Sequence, residues 1–165
     1  MFLGSERAVH ISPEPQSDVN QMPNRPVSEI VGQRPFPTAS AATTVRAIGK
    51  IMEESRSSAV LIVENGVLAG ICTERDIVFG AVAADRDLGD TRVDAIMTRN
   101  IETIGPDKPF GHALHLMYEG GFRHIPVVDC TGRPLGLVTS QDALGIDALR
   151  FWQELVRREE ITATL

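Results

Sequence analysis

At 165 residues, with 42% hydrophobic and 23% charged side chains, the chain suits one compact domain or two small intimate halves, and it is long enough to bury a core. A net charge of −6 argues against nucleic acid as a partner, because such binders carry basic patches, and no apolar run reaches the length of a membrane span. Met1-Phe2-Leu3-Gly4 lacks the basic region of a secretion signal, and two cysteines, Cys72 and Cys130, make no disulfide or metal framework; both point to a reduced cytoplasm.

Residues 1–25 carry no apolar periodicity and are interrupted by Pro13, Pro15 and Pro23, which predicts a mobile leader. A helical turn is expected at Val27–Val31 and an extended piece near Phe36–Ala39. Thr44 opens a helix whose apolar stripe is Val45, Ile48, Ile51 and Met52. Ala59–Val63 is short and uniformly apolar, a buried strand, and Asn65-Gly66 is a strong signal for a two-residue hairpin. The return strand, Val67–Cys72, leads to Thr73. A second helix is expected over Glu74–Ala84, ended by the polar run Asp85–Asp90.

The pattern then repeats. Val93–Met97 answers Val27–Val31, and Ile101–Ile104 answers the first extended piece. A helix carrying Phe110, Ala113, Leu114 and Met117 answers the first amphipathic helix. His124–Val128 is the buried strand again, Thr131-Gly132 sits in the turn, Leu135–Val138 returns, and Thr139 opens the last helix. The second hairpin is one residue longer than the first, and turns are where insertions belong. Each half is therefore β-α-β-β-α, with repeats at 26–90 and 91–149, an α/β (α+β) class fold in which two marginal halves pack sheet to sheet about a pseudo-two-fold axis. The last helix is expected to continue into 150–165, near Arg157, placing Leu144, Ala148, Phe151, Trp152 and Leu155 on one face, with Phe151 and Trp152 favoured as cover for a second subunit.

Gly70-Ile71-Cys72-Thr73-Glu74-Arg75-Asp76 and Gly136-Leu137-Val138-Thr139-Ser140-Gln141-Asp142, together with Gly120–Asp129 and the matching helices and hairpins, make the chain resemble a CBS-domain pair, or Bateman module, of the free-standing bacterial type. The likeness covers about Pro26 to Leu149. It implies a regulatory sensor of AMP, ADP, ATP, S-adenosylmethionine, NAD-type or other adenosine-containing molecules. Such a module binds its ligand in clefts between two repeats, forms a homodimer, and transmits occupancy to a partner protein. No cofactor is required and no catalytic residue is implied.

Carried over, Asp76 and Asp142 each accept hydrogen bonds from a ribose diol, as the acidic residue of dinucleotide-binding folds does. Thr73 and Thr139 offer a hydroxyl toward ribose or phosphate at a helix start, and Arg75 faces ligand, with Gln141 its neutral counterpart. Ile71 and Leu137 precede the two threonines in the same clefts. In the family each cleft joins one half's aspartate to the other half's first strand. Asp142 would therefore face Thr38 and Ala39, and Asp76 would face Thr103 and Ile104. Arg123 and His124 precede the buried strand where relatives contact phosphate. The first half has Ser58 and Ala59 there, so two unequal sites are expected, and because Thr38–Ala42 departs from the family's Pro-Asp pattern that Gly105–Asp107 keeps, the site completed by Thr38 is expected to be the weaker one.

Thr-x-x-Asp is also a helix capping box that needs no ligand, although that box prefers the longer Glu or Gln at its fourth place and aspartate is short for the job. His112, His115 and Glu119 share one helix face, read as solvated surface and not as a metal site. Cys72 is read as a small core residue. No nucleophile, base and orienter can be assembled into a catalytic set. The competing reading is a dimeric interaction or scaffold module with vestigial clefts.

Overall fold

The computed structural model describes residues 24–144; the leader before them and the predicted helix face at Ala148, Phe151, Trp152 and Leu155 lie outside the described residues. The elements follow from local chemistry. After α1 (Val27–Val31) and the two-residue strand β1 (Thr38–Ala39), Thr44 caps α2 (Val45–Ser55) by accepting a hydrogen bond from the Ala47 amide at 3.3 Å. Val45, Ile48 and Met52 form the buried face of α2, and Arg56 ends it in the left-handed conformation. Strands β2 (Ala59–Glu64) and β3 (Val67–Thr73) are joined by Asn65 and Gly66 at φ 52° and 79°, the pair of positive angles that a type I′ hairpin demands. β1 pairs parallel with β2, and β2 antiparallel with β3.

The helix expected at Glu74–Ala84 is α-helical only over α3 (Glu74–Ile77) and continues as a π-helix, Val78–Val82. Its bonds span five residues, Ala83 N–H to Val78 C=O at 2.8 Å and Arg86 N–H to Ala81 C=O at 3.0 Å. Gly80 lies against Ile96 here, so close that a Cβ would stand 2.9 Å from that side chain. A 3₁₀ turn at Val93–Ala95, then α4 (Phe110–Gly120), β4 (His124–Val128) and β5 (Pro134–Thr139) follow in the second half, and residues 140–144 are helical. The strand expected at Ile101–Ile104 contracts to one bridge, Ile104 with Val127. The next ladder donor in that register would be residue 106, a proline without an N–H.

The two sequence repeats exchange their opening segments. Val27 and Val31 of α1 pack in the second half's core with Phe110, Ala113, Met117, Ile125, Val127 and Val138. Val93 and Met97 pack in the first half's core with Ile48, Met52, Val60, Ile62 and Cys72. The motif glycines make this exchange possible. A Cβ on Gly70 would lie 2.7 Å from the Thr98 carbonyl oxygen, and one on Gly136 would lie 2.8 Å from Val31. A third cluster, Ala59, Leu61, Ile71 and Leu137, draws on both halves and joins the two sheets.

Candidate functional site

At the end of each return strand the backbone stays extended through a threonine and then enters a helix, whose first amides find their partners in side chains and in the neighbouring strand. In the first half Asp76 Oδ2 accepts from both the Thr73 amide and the Thr73 hydroxyl at 2.7 Å, and the Thr73 oxygen accepts from the Asp76 amide at 3.4 Å. The expectation that aspartate is too short for a capping box is thus corrected. One carboxylate oxygen sits between the two donors of Thr73 and needs no further reach. The second half repeats half of it: Asp142 Oδ2 accepts from the Thr139 amide at 2.7 Å and from its hydroxyl at 3.3 Å.

The other oxygen of each aspartate faces the opposite half. Asp142 Oδ1 is 2.6 Å from the Arg34 guanidinium, four residues ahead of Thr38. Asp76 Oδ1 accepts from the Thr98 hydroxyl at 3.3 Å, on the segment leading to Thr103 and Ile104. The exchanged opening segments therefore carry the chain past the partner half's aspartate. Thr38 and Thr103 are exposed, Ala39 is half-buried and Ile104 is buried. Ile71 and Leu137 are buried in the cluster between the sheets, so their side chains pack the halves together.

Around the pseudo-two-fold axis Ser58 Oγ and His124 Nε2 stand 2.8 Å apart. The flanking bonds are symmetric: the Glu74 amide donates to Ser58 C=O and the Ser140 amide to Arg123 C=O. Burial lowers the His124 pKa from its usual 6.5, Arg123 lowers it further, and Glu74 opposes both.

Two clefts flank the Ser58–His124 contact, and they are unequal. The larger, about 870 Å³, is lined by Arg34, Arg56, Ser57, Ser58, Glu53, Glu74, Arg123, His124, Thr139 and Gln141, among others. The smaller, about 100 Å³, is lined by Ser58, Thr73, Glu74, Arg75, Phe122, Arg123 and His124. Repeat symmetry sets Phe122 in the small cleft where Ser57 stands in the large one, and Arg75 where Gln141 stands. Both substitutions put the bulkier side chain in the smaller cleft. Thr73, Thr139, Arg75, Arg123 and His124 line these clefts, whereas Asp76, Asp142, Thr38, Ala39, Thr103 and Ile104 are not among the lining residues. Arg34, Arg56, Ser57 and Phe122 were missed. Registering residues 56–58 on 121–123 exposes the Ser57/Phe122 difference, but nothing local marks Arg34, whose partner lies 108 residues away.

His115 pairs with Glu119 at 3.4 Å on an exposed helix face, and among the described residues no group of three His, Cys, Asp or Glu is placed to hold a metal. Burial, aided by the Asp76 charge, pushes the Cys72 thiol up to about 12, which leaves it inert as a nucleophile at neutral pH. Among the described residues no helix is long and apolar enough to cross a membrane.

A family model described as "CBS domain" matches the chain twice, over residues 27–82 and 93–148. The CBS domain-containing protein CBSCBSPB1 of Arabidopsis thaliana is 37% identical over 60% of this chain, a region that spans 18% of the plant protein's length. A solved protein with CBS domains from Burkholderia ambifaria is 30% identical at a TM-score of 0.67, covering 73% of this chain and 91% of its own. The CBS domain pair of protein MJ0100, solved in complex with 5′-methylthioadenosine and S-adenosyl-L-methionine, is 31% identical at a TM-score of 0.67, covering 74% of this chain and 98% of its own.

Proposed function

The chain belongs to the CBS-domain family, as a tandem pair, and on that premise we propose that it is a regulatory sensor of an adenosine-containing ligand. The observation that carries the reading is the large cleft lined by Thr139, Arg123, His124 and Arg34, the last of which reaches from the first half to hold the Asp142 carboxylate behind that wall. In this reading the ribose diol meets Asp142, the adenine lies along Thr38 and Ala39, and anionic groups run toward Arg123 and His124. Asp76, Thr73, Arg75, Thr103 and Ile104 form the counterpart in the small cleft. Adenosine chemistry is also what the MJ0100 pair holds. A ligand touching both halves favours one relative arrangement of them, so occupancy becomes shape, and a partner protein reads that shape. The module is non-catalytic, works as a homodimer, and with its two free cysteines suits the reducing cytoplasm.

A scaffold with vestigial clefts is the second reading. It is favoured by the fact that both aspartates already have partners within the chain and that Val78, Phe79 and Val82 are exposed. Thermal shift with AMP, ATP, S-adenosylmethionine and 5′-methylthioadenosine separates the two. A ligand at 100 times its Kd adds about 2.7 kcal/mol of stability, several degrees in Tm for a chain of this size. The sensor reading expects such a rise and its loss in Asp142→Ala. A flat response to every adenosine compound leaves the scaffold.

A further inference from the structure

Resting on that reading, we propose that the large cleft selects phosphorylated ligands, and that Arg34, which lines it, enforces the choice by passing from Asp142 to the ligand phosphate. The Arg34 guanidinium holds the one Asp142 oxygen left free by the helix cap, at 2.6 Å, and it also lines the cleft. Its side chain is 51% exposed while that of Asp142 is 9% exposed, so the arginine can swing and the aspartate cannot. A diol can take Asp142 Oδ1 only when Arg34 leaves. A neutral nucleoside gives the displaced guanidinium nothing to bind. A phosphate does, with the fork geometry that suits its oxygens.

The same cleft holds two further guanidiniums, Arg56 and Arg123, and neither has an ion-pair partner among the described residues. Glu53 and Glu74 in the wall oppose them, but neither contacts Arg34. A sulfonium ligand would bring a fixed cation among these arginines. The class chosen is therefore a nucleotide carrying both a free ribose diol and a phosphate.

Titration calorimetry with AMP, adenosine, 5′-methylthioadenosine and S-adenosylmethionine, on the wild type and on Arg34→Ala, tests this. Arg34 is on the surface, so the variant keeps its fold. AMP is expected to bind at least ~10-fold tighter than adenosine or 5′-methylthioadenosine, a preference equal to one guanidinium–phosphate contact. In Arg34→Ala the preference collapses, since AMP weakens while adenosine binds as well or better, and Arg34→Lys restores part of it. Equal loss for both ligands, or wild-type preference for S-adenosylmethionine, overturns the inference and leaves the sensor reading standing. Inorganic pyrophosphate alone, followed by thermal shift, separates the two ideas from the other side. A rise that Arg34→Ala removes, with no adenosine compound binding, keeps the phosphate site and ends the adenosine reading. Silence from pyrophosphate and from every adenosine compound ends both.

The inequality of the clefts carries a second inference independently: Phe122 plugs the cleft at Thr73 and Arg75, so one chain holds one ligand. Its ring lines a cleft of about 100 Å³ where Ser57 leaves about 870 Å³ on the other side. Native mass spectrometry should count one ligand per wild-type chain. Phe122→Ser should raise the count to two, and the reciprocal Ser57→Phe should bring it to none; Phe122 also touches the second half's core, so the reciprocal variant guards against a folding artefact. Two ligands on the wild type, or binding untouched by Ser57→Phe, overturns it.

Discussion

A carboxylate that caps a helix and one that grips a sugar diol draw on the same lone pairs, yet Asp142 has room for both because one oxygen faces Thr139 and the other faces the opposite half. Asp142→Asn separates the two roles. Its side-chain oxygen can still accept from the Thr139 amide, so urea unfolding should register a loss well below the ~1 kcal/mol typical of Asp→Ala at a cap. Calorimetry should nonetheless show ligand affinity falling at least ~10-fold, the scale of a lost charge-assisted hydrogen bond. An asparagine variant that binds like the wild type would reduce Asp142 to a cap. His124 gives the pH dependence. Its pKa is lowered in the fold, mostly by burial and then by Arg123, so between the unfolded value near 6.5 and the lower folded value the unfolded chain binds more protons. Stability from this group is complete above pH 6.5 and is lost as pH falls toward the folded pKa. Melting temperatures from pH 7.5 to 5.5 should decline, and decline less in His124→Gln. A bound phosphate beside His124 would raise that pKa, so binding should take up protons between the lowered pKa of the free site and the raised pKa of the complex, measurable as a buffer-dependent heat.

At the scale of elements, the two motif glycines report close packing, not turn geometry: each admits the other half's opening segment. Gly70→Ala should destabilise by about 1–3 kcal/mol, because its new methyl meets a backbone oxygen. Gly136→Ala should cost less, since its neighbour is the Val31 side chain, which can shift. Paired thermal or urea unfolding checks the order as well as the size. Much of this level is legible in the amino-acid sequence. Asn65-Gly66 marks its hairpin, Thr44 its helix start, and the apolar runs at Ala59–Val63 and His124–Val128 their strands, because each signal acts within a few residues. Three features escape. The exchange of α1 and the 93–97 segment depends on which core is nearer in space. The π-helix at Val78–Val82 follows a helical apolar pattern, and its Gly80 sits against Ile96 of the other half, a contact distant in sequence. The Arg34–Asp142 pair joins residues with no local relation. The clefts are half-legible for the same reason: repeat register points to Thr73, Thr139, Arg123 and His124, which line them, while Arg34 and Phe122 line them without belonging to any motif.

For the whole molecule, the uncovered apolar face is the feature that most needs a partner. Phe79 is 67% exposed and Val78 and Val82 about half exposed, and Leu144, the repeat equivalent of Val78, is 64% exposed, so the pseudo-two-fold places apolar side chains at matching points of both halves. In the proposed homodimer this is the face that meets the second copy. Phe79→Glu should convert a dimer to a monomer in light scattering at micromolar concentration, as expected when a buried aromatic anchor worth about 2 kcal/mol or more is replaced by a charge. Glu74, Ile77 and Val78 also line the large cleft, so α3 and its π-helical continuation touch the ligand at one end and the proposed dimer face at the other. Linkage then requires that ligand alter the dimer dissociation constant and that dimerisation alter ligand affinity by the same factor. Sedimentation of the protein at several concentrations, with and without saturating nucleotide, measures the first, and calorimetry of the Phe79→Glu monomer measures the second. Matching factors would identify this element as the transmitter. A dimer constant indifferent to ligand would mean that occupancy leaves the molecule by another face.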